Sequence, residues 1–144
     1  WKPRLQRGAV WNRKNILKNV VKKAPAPEPD FLPDTRRIAA LADDHKAIDI
    51  RAYDLRGLTV IADSFVVCTA NSEPHVKAVS SAILAGMREI GVKARHSEGN
   101  HRSGWLVLDY GNVIVHVFRK EQREFYDLDG LWGDAPRIKL DLER

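Results

Sequence analysis

An α/β domain preceded by a basic extension is the architecture this sequence predicts, and three observations predict it. Apolar residues spaced three and four apart alternate along the chain with short runs rich in Val, Ile and Phe, so helical and strand periods alternate. Two of the runs flank a two-residue Gly111-Asn112 turn, the signature of a hairpin. A proline-rich stretch, Ala24-Pro25-Ala26-Pro27-Glu28-Pro29-Asp30, favours an extended linker and places a boundary between a tail (residues 1–30) and a domain (31–144).

The tail carries Lys2, Arg4, Arg7, Arg13, Lys14, Lys18, Lys22 and Lys23 and no acidic residue before Glu28, a charge of +8. The chain as a whole is +5, so the body from Glu28 onward holds 16 basic residues against 19 acidic ones and is −3. A basic arm suits phosphate or another anionic surface, and an acidic body suits a basic protein partner. Val10, Ile16, Leu17, Val20 and Val21 among the lysines fit a weakly amphipathic helix about as well as a solvated tail. The same acid-free leader also fits part of an organellar presequence, although it lacks serine and the chain opens on Trp rather than Met, so its true start is expected to lie further upstream.

In the body, Asp34 or Thr35 is expected to cap a first helix after Pro33, with Ile38, Leu41, Ala42 and His45 on its inner face. Strands are expected around Ile50–Leu55 and Ser64–Ala70. The second of these is apolar on both faces and therefore central. Ser72 is expected to cap a second helix whose buried stripe is Val76, Val79, Ile83, Met87 and Ile90, ended by Gly91. A more polar strand follows over Val92–Glu98, then a loop from Glu98 to Gly104. Strand, helix and strand in succession imply a right-handed crossover.

The hairpin fixes its own register. Tyr110 faces Val113, Leu108 faces Val115 and Leu106 faces Val117, an aliphatic side that must bury against helices. On the other side Trp105 pairs with Phe118, Val107 with His116 and Asp109 with Ile114. That side is either a second buried layer or an open face that receives a partner, and pattern alone leaves both standing. A short helix and turn over Glu121–Asp129 come next, and Trp132 is expected to pack over the domain edge.

The length of 144 residues suits one ordinary domain with a tail, and 44% hydrophobic residues can supply its core. The lone Cys68 cannot form an internal disulfide and suggests a reducing compartment. No run approaches the roughly 18 apolar residues of a membrane span. Chemical motifs are few. Asp127-Leu128-Asp129 is a literal Asp-x-Asp, which in enzymes holds Mg²⁺, but here no phosphate loop precedes it. His96 and His101 lack further ligands at metal spacing. Ser72 with His75 is better explained by capping than by nucleophilic catalysis, and Asn71-Ser72 is a glycine-free, weak candidate for anion binding at a helix start. A folded domain without an assembled active site points toward binding, so no catalytic residue, cofactor or metal is expected.

The stretches Lys46-Ala47-Ile48-Asp49-Ile50, Tyr53-Asp54-Leu55-Arg56, Ala62-Asp63-Ser64-Phe65-Val66-Val67, Thr69-Ala70-Asn71-Ser72, Glu98-Gly99, Gly104-Trp105-Leu106-Val107-Leu108-Asp109-Tyr110-Gly111, Val115-His116-Val117-Phe118, Phe125-Tyr126 and Leu131-Trp132-Gly133-Asp134-Ala135-Pro136 form a specific pattern. Over residues 36–140 this pattern is a resemblance to the ribosomal silencing factor family, also called the Iojap family. It implies a single α/β domain similar to nucleotidyltransferases, with a mixed sheet flanked by helices and without their catalytic carboxylates. It also implies binding to the fourteenth protein of the large ribosomal subunit, on the face that meets the small subunit, so that joining is blocked; organellar relatives act in large-subunit assembly. The family's exposed tryptophan maps to Trp105, with Asp109, Tyr110, His116 and Phe118 as expected neighbours in the partner-binding site. The tail is not part of the family pattern. Its Arg4, Arg7, Arg13, Lys14, Lys18, Lys22 and Lys23 are expected to touch ribosomal RNA. A second copy of the chain is a further expected partner of the free protein, and no membrane is expected. The expected location is the bacterial cytoplasm, or an organellar matrix or stroma. The rivals are a Mg²⁺-dependent nucleotidyltransferase-like enzyme using Asp127 and Asp129, and an RNA-binding assembly factor acting through the tail.

Overall fold

A computed structural model describes residues 30–142; the basic leader and most of the linker lie outside the described residues. The elements are α1 (Phe31–Asp44), β1 (Ile48–Asp54), β2 (Ser64–Ala70), α2 (Glu73–Glu89), β3 (His96–Asn100), β4 (Trp105–Asp109), β5 (Val113–Arg119), α3 (Lys120–Tyr126) and α4 (Leu128–Leu131). The strands form one mixed sheet in the order β1-β2-β5-β4-β3, in which β2 and β5 are parallel and the other neighbours antiparallel.

Helix α1 begins earlier than its sequence suggests. Pro33 lies inside the first turn, where a missing N–H breaks no helical bond, and Asp30 precedes the helix without a side-chain cap. Thr35 is not a cap: its hydroxyl donates to the Phe31 carbonyl at 2.7 Å and meets the Ser64 hydroxyl at 2.8 Å, tying the helix to β2. His45, expected on the inner face, is an exposed C-cap residue whose N–H bonds back to Ala42. In α2 the Ser72 cap and the stripe Val76, Val79, Ile83 and Met87 are as expected, whereas Ile90 sits past the last turn and is 48% exposed. The two helices meet where Gly86 leaves room for Leu41; a Cβ on Gly86 would lie 2.4 Å from a Leu41 methyl.

Both helices cover one face of the sheet. Alternate residues of β2 and β5 (Val66, Cys68, Ala70; Val113, Val115, Val117) join Ile38, Ala42, Val76, Val79, Ile83 and Leu108 in the main core. Burial pushes the Cys68 thiol up to about 12, which leaves it inert there. The other face holds a smaller core of Tyr53, Leu55, Phe65, Val67, Ile114, Phe118 and Ala135, with Trp132 packed over it. β2 is enclosed throughout, as a central strand should be.

The two sheet edges differ. The backbone of residues 136–138 covers β1, with the Asp54 N–H donating to the Pro136 carbonyl and the Ile138 N–H to the Ala52 carbonyl, each at 2.8 Å. β3 is exposed at every residue and begins four residues later than its apolar lead-in suggests, because Val92 and Ala94 pack against the core as connecting residues. Polar, short and bent by Gly99 (φ +81°), β3 is a poor template for further strands.

Candidate docking surface

The hairpin adopts the register its sequence dictates: Leu106 opposes Val117, Leu108 opposes Val115, and Trp105 opposes Phe118. The Tyr110 N–H donates to the Val113 carbonyl at 2.9 Å, and Gly111 takes φ +89° at the turn. The face opposite the helices is neither wholly sealed nor wholly open. Its β5 side chains are buried, with Phe118 at 0%, His116 at 6% and Ile114 at 8% exposure, whereas Trp105, Val107 and Asp109 on β4 remain partly exposed.

Trp105 is held on several sides. Its indole stacks on Phe118 (centroids 5.0 Å apart, planes 26° apart) and lies 4.4 Å from the Tyr126 ring. Its Nε1–H donates to His116 Nδ1 at 3.1 Å, so Nε2 of the neutral His116 carries the proton. That Nε2–H has no hydrogen-bond acceptor among the described residues; the Phe65 ring lies edge-on at 4.6 Å from the imidazole. Burial drives the His116 pKa down to about 4, which keeps the ring neutral and able to accept from Trp105.

Two glycines make this packing close. At Gly99 a Cβ would lie 2.2 Å from the Trp105 carbonyl oxygen, and at Gly104 (φ +77°) it would meet the Gln122 side chain at 2.5 Å. The 101–104 turn is pinned by Asn100 Oδ1, which accepts from the Arg102 and Ser103 N–H groups at 2.9 Å each. Beside the indole opens a groove of about 280 Å³ lined by Glu98, Gly99, Ser103, Trp105, Val107 and Tyr126. Beyond Tyr126, itself 48% exposed, Phe125 stands edge-on at 5.0 Å and is 80% exposed. Aromatic rings thus climb from enclosed Phe118 through Trp105 and Tyr126 to Phe125 in water.

Of the five residues expected at the partner site, only Trp105 offers a ring to this surface. Phe118 and His116 support it from beneath. Asp109 accepts the Gly111 N–H at 2.7 Å, so its carboxylate shapes the turn, four residues or about 13 Å along the strand from Trp105. Tyr110 belongs to the helix-side core at 8% exposure, and its hydroxyl has no hydrogen-bond partner among the described residues. Phe125 and Tyr126 were overlooked by sequence reasoning; their signal, adjacent aromatics on a short polar helix after β5, exposes no face until α3 is placed. The tail cations expected to touch RNA lie outside the described residues.

The Asp-x-Asp pair is occupied otherwise. Asp127, in the left-handed region (φ 45°), caps α4 by accepting the Gly130 N–H at 3.0 Å. Asp129 is not a solvated turn carboxylate. It accepts from Arg123 Nε at 2.9 Å and from the Tyr53 hydroxyl, with Arg51 at 3.8 Å. Burial alone would raise its carboxyl, but the bonds from Arg123 and Tyr53 and the charges of Arg123 and Arg51 outweigh that and hold it below the usual range. Arg123 in turn donates to the Asp49 carbonyl and the Thr69 hydroxyl, so this network fastens α3 and α4 to β1 and β2. A cleft of about 680 Å³ at the carboxyl ends of β2 and β5 is lined by these groups together with Arg119, Lys120, Glu121 and Glu124. Ser72 and His75 form no nucleophile and base: the Ser72 hydroxyl accepts the His75 N–H, and the imidazole joins the Asn71 N–H to the His45 carbonyl. The Asn71 amide is thereby taken, which removes a donor from the suggested anion site. His96 pairs with Glu98 at 2.9 Å.

Comparison with known proteins gives a consistent answer. Residues 29–144 match the family model described as ribosomal silencing factor during starvation. A ribosomal silencing factor of Bacillus subtilis is 42% identical over 104 residues, covering 72% of this chain and 88% of the relative. The chloroplastic protein Iojap of Zea mays is 36% identical over 109 residues, 74% of this chain and 46% of that longer protein. A crystal structure of a Chromobacterium violaceum protein superposes with a TM-score of 0.67 at 30% identity, covering 77% of this chain and 92% of the other. The five-stranded sheet, the flanking helices and these matches together make the chain a member of the ribosomal silencing factor family.

Proposed function

We propose that this protein docks on the large ribosomal subunit through the subunit's fourteenth protein and, by its bulk, keeps the small subunit from joining, without catalysing a reaction. The observation that carries this reading is the ascending aromatic stack, in which Trp105, Tyr126 and Phe125 are presented to solvent from a base made rigid by Phe118 and His116. Large aromatics set in well-packed surroundings are the usual anchors of protein interfaces, and an ordinary interface of about 800 Å² per partner is enough for tight binding. A domain of this length has a radius of gyration of roughly 13 Å, so a docked copy is too thick to share a closed subunit interface. The acidic body suits a basic ribosomal protein, and the tail cations suit nearby ribosomal RNA, adding avidity by local concentration. The enzyme reading is disfavoured because both carboxylates of its motif are already bonded within the chain.

Sedimentation tests the proposal directly. The protein should travel with purified large subunits, and small subunits added afterwards should remain free. Trp105→Glu should abolish cosedimentation, since it desolvates a charge at the anchor. Full binding by that variant, or unimpeded subunit joining beside bound protein, would reject the proposal. A rise in melting temperature with nucleotide and Mg²⁺ would favour the enzyme reading.

A further inference from the structure

Helix α3 is not tied to the body as α1 and α2 are. Among its described residues Arg123 alone is buried, and none of them joins either apolar core. Its two aromatic side chains, Phe125 and Tyr126, are 80% and 48% exposed. Gln122 packs at Gly104, and its buried Oε1 finds no hydrogen-bond partner among the described residues. Seven residues are too few for a helix to hold itself in water, so the position of α3 comes from what it is fastened to.

Arg123 is the fastening. Its Nε and Nη2 donate to the two oxygens of Asp129 at 2.9 and 3.2 Å, a forked pair that fixes angle as well as distance. Its Nη1 donates to the Asp49 carbonyl at 2.7 Å and to the Thr69 hydroxyl at 2.9 Å, which brings in β1 and β2. Asp49 stands in the left-handed region (φ +50°) at the bulge between Ile48 and Arg51, and Asp127, which ends α3, is left-handed too (φ +45°). Both line the cleft around the guanidinium, and non-glycine residues keep such backbone only where their surroundings over-determine it. Against an apolar substitute of similar size a buried ion pair adds little net stability; what the fork adds is one placement.

The same helix carries the docking rings. Tyr126 follows Arg123 by three positions and lies 4.4 Å from the Trp105 ring on β4, while Arg123 reaches β1 and β2, so α3 bridges the cage and the docking surface. Trp105 has its own supports on β5, Phe118 and His116, whereas Phe125 and Tyr126 are placed only as well as α3 is placed. We infer that Arg123, held by Asp129, Asp49 and Thr69, is a positioning residue of the docking surface, setting Tyr126 and Phe125 beside Trp105 so that a partner meets all three rings at once. This role rests on the docking reading above. Arg123 does not touch the partner; binding gains because the rings are ordered before the encounter.

Arg123→Met in the full chain, which keeps the stem and removes the fork, tests this. Amides of residues 120–131 should exchange roughly tenfold faster while those of β2 and β5 keep their protection, and the nuclear Overhauser contact between the Trp105 and Tyr126 rings should fade. Cosedimentation with purified large subunits should weaken roughly tenfold. Phe125→Ala with Tyr126→Ala removes the rings through which Arg123 acts. At low salt, where residual binding is strongest, adding Arg123→Met to that pair should change binding by less than about twofold. Tyr53→Phe takes only one hydroxyl from Asp129 and serves should Arg123→Met not fold; it should move exchange and binding the same way, by about threefold. Full binding by a variant whose 120–131 amides exchange faster would overturn the inference, as would unchanged exchange there or an equal further loss in the ring-free background. Failure of the parent chain to cosediment would instead reject the docking reading, and this role for Arg123 with it.

Discussion

The two rows of the β4–β5 hairpin obey the same alternation and meet different fates. The row of Leu106, Leu108, Val113, Val115 and Val117 points toward two long helices and is fully enclosed except at Leu106, which is half-buried. The row of Trp105, Val107, Ile114, His116 and Phe118 points toward short elements, the seven-residue α3 and the four-residue α4, which cover β5 and leave β4 partly open. Alternation thus fixes which side chains share a face, and the length of what packs on that face fixes how much of it stays dry. In the half-covered row, burial grades into exposure across one strand spacing. A rigid aromatic can there be supported from below and still be available above.

The largest expected effect comes from removing the support. Phe118→Ala should cost roughly 3–5 kcal/mol of stability in urea denaturation, as for other enclosed aromatics, and should also weaken subunit binding by releasing Trp105. Leu108→Ala in the other row should cost roughly 2–5 kcal/mol yet leave binding unchanged under conditions where the variant is folded. Equal binding losses in the two variants would erase the distinction between the rows.

The His116 imidazole gives the next effect. Its folded pKa of about 4 lies below the ordinary histidine value of 6.5, so between these pH values the unfolded chain binds a proton that the folded chain refuses. Stability is therefore full above pH 6.5 and falls as pH drops toward 4, by roughly 3 kcal/mol in total at about 1.4 kcal/mol per pH unit. Asp129 has the opposite charge chemistry and a separate window: its carboxyl is held below 3.8, so its contribution is lost only under more acidic conditions. His116→Phe should flatten the slope between pH 6.5 and 4.5; an unchanged slope would show that another group carries it.

Smaller still is the expected change at the exposed end of the stack. Phe125→Ala removes a ring that is 80% exposed, so melting should shift by less than the equivalent of about 0.5 kcal/mol. Binding to large subunits should nevertheless weaken roughly tenfold if this ring touches the partner. A loss of stability without a loss of binding would move the surface away from α3.

Much of this was legible in the sequence, for identifiable reasons. A two-residue turn with glycine leaves one register, so every cross-strand pair of the hairpin followed, and an uninterrupted apolar run marked β2 as central. Pro33 misled because proline stops a helix only beyond its first turn. β3 was placed early because its own residues carry no apolar signal, while the preceding Val92 and Ala94 do. The part of the site built by contacts distant in sequence was not legible. Nothing local says that Asp129 will be held by Tyr53, 76 positions away, or that Tyr126 will lie against Trp105.

Tyr110 offers the finest distinction between the rows. The hairpin register puts it on the helix side, within reach of the partner site only at the turn, and it lies in the helix-side core with a hydroxyl that finds no hydrogen-bond partner among the described residues; burial pushes that hydroxyl's pKa up to about 12. A buried polar group without a partner costs stability, so replacing it by an isosteric apolar ring should be neutral or favourable by about 1 kcal/mol. Tyr110→Phe should accordingly raise the melting temperature slightly and leave subunit binding within twofold, because the ring keeps its place and the surface at Trp105 is untouched. If the substitution instead weakens binding tenfold, the hydroxyl must reach the partner around the Gly111-Asn112 turn, and the interface would extend along the whole length of β4 rather than gather at its aromatic end.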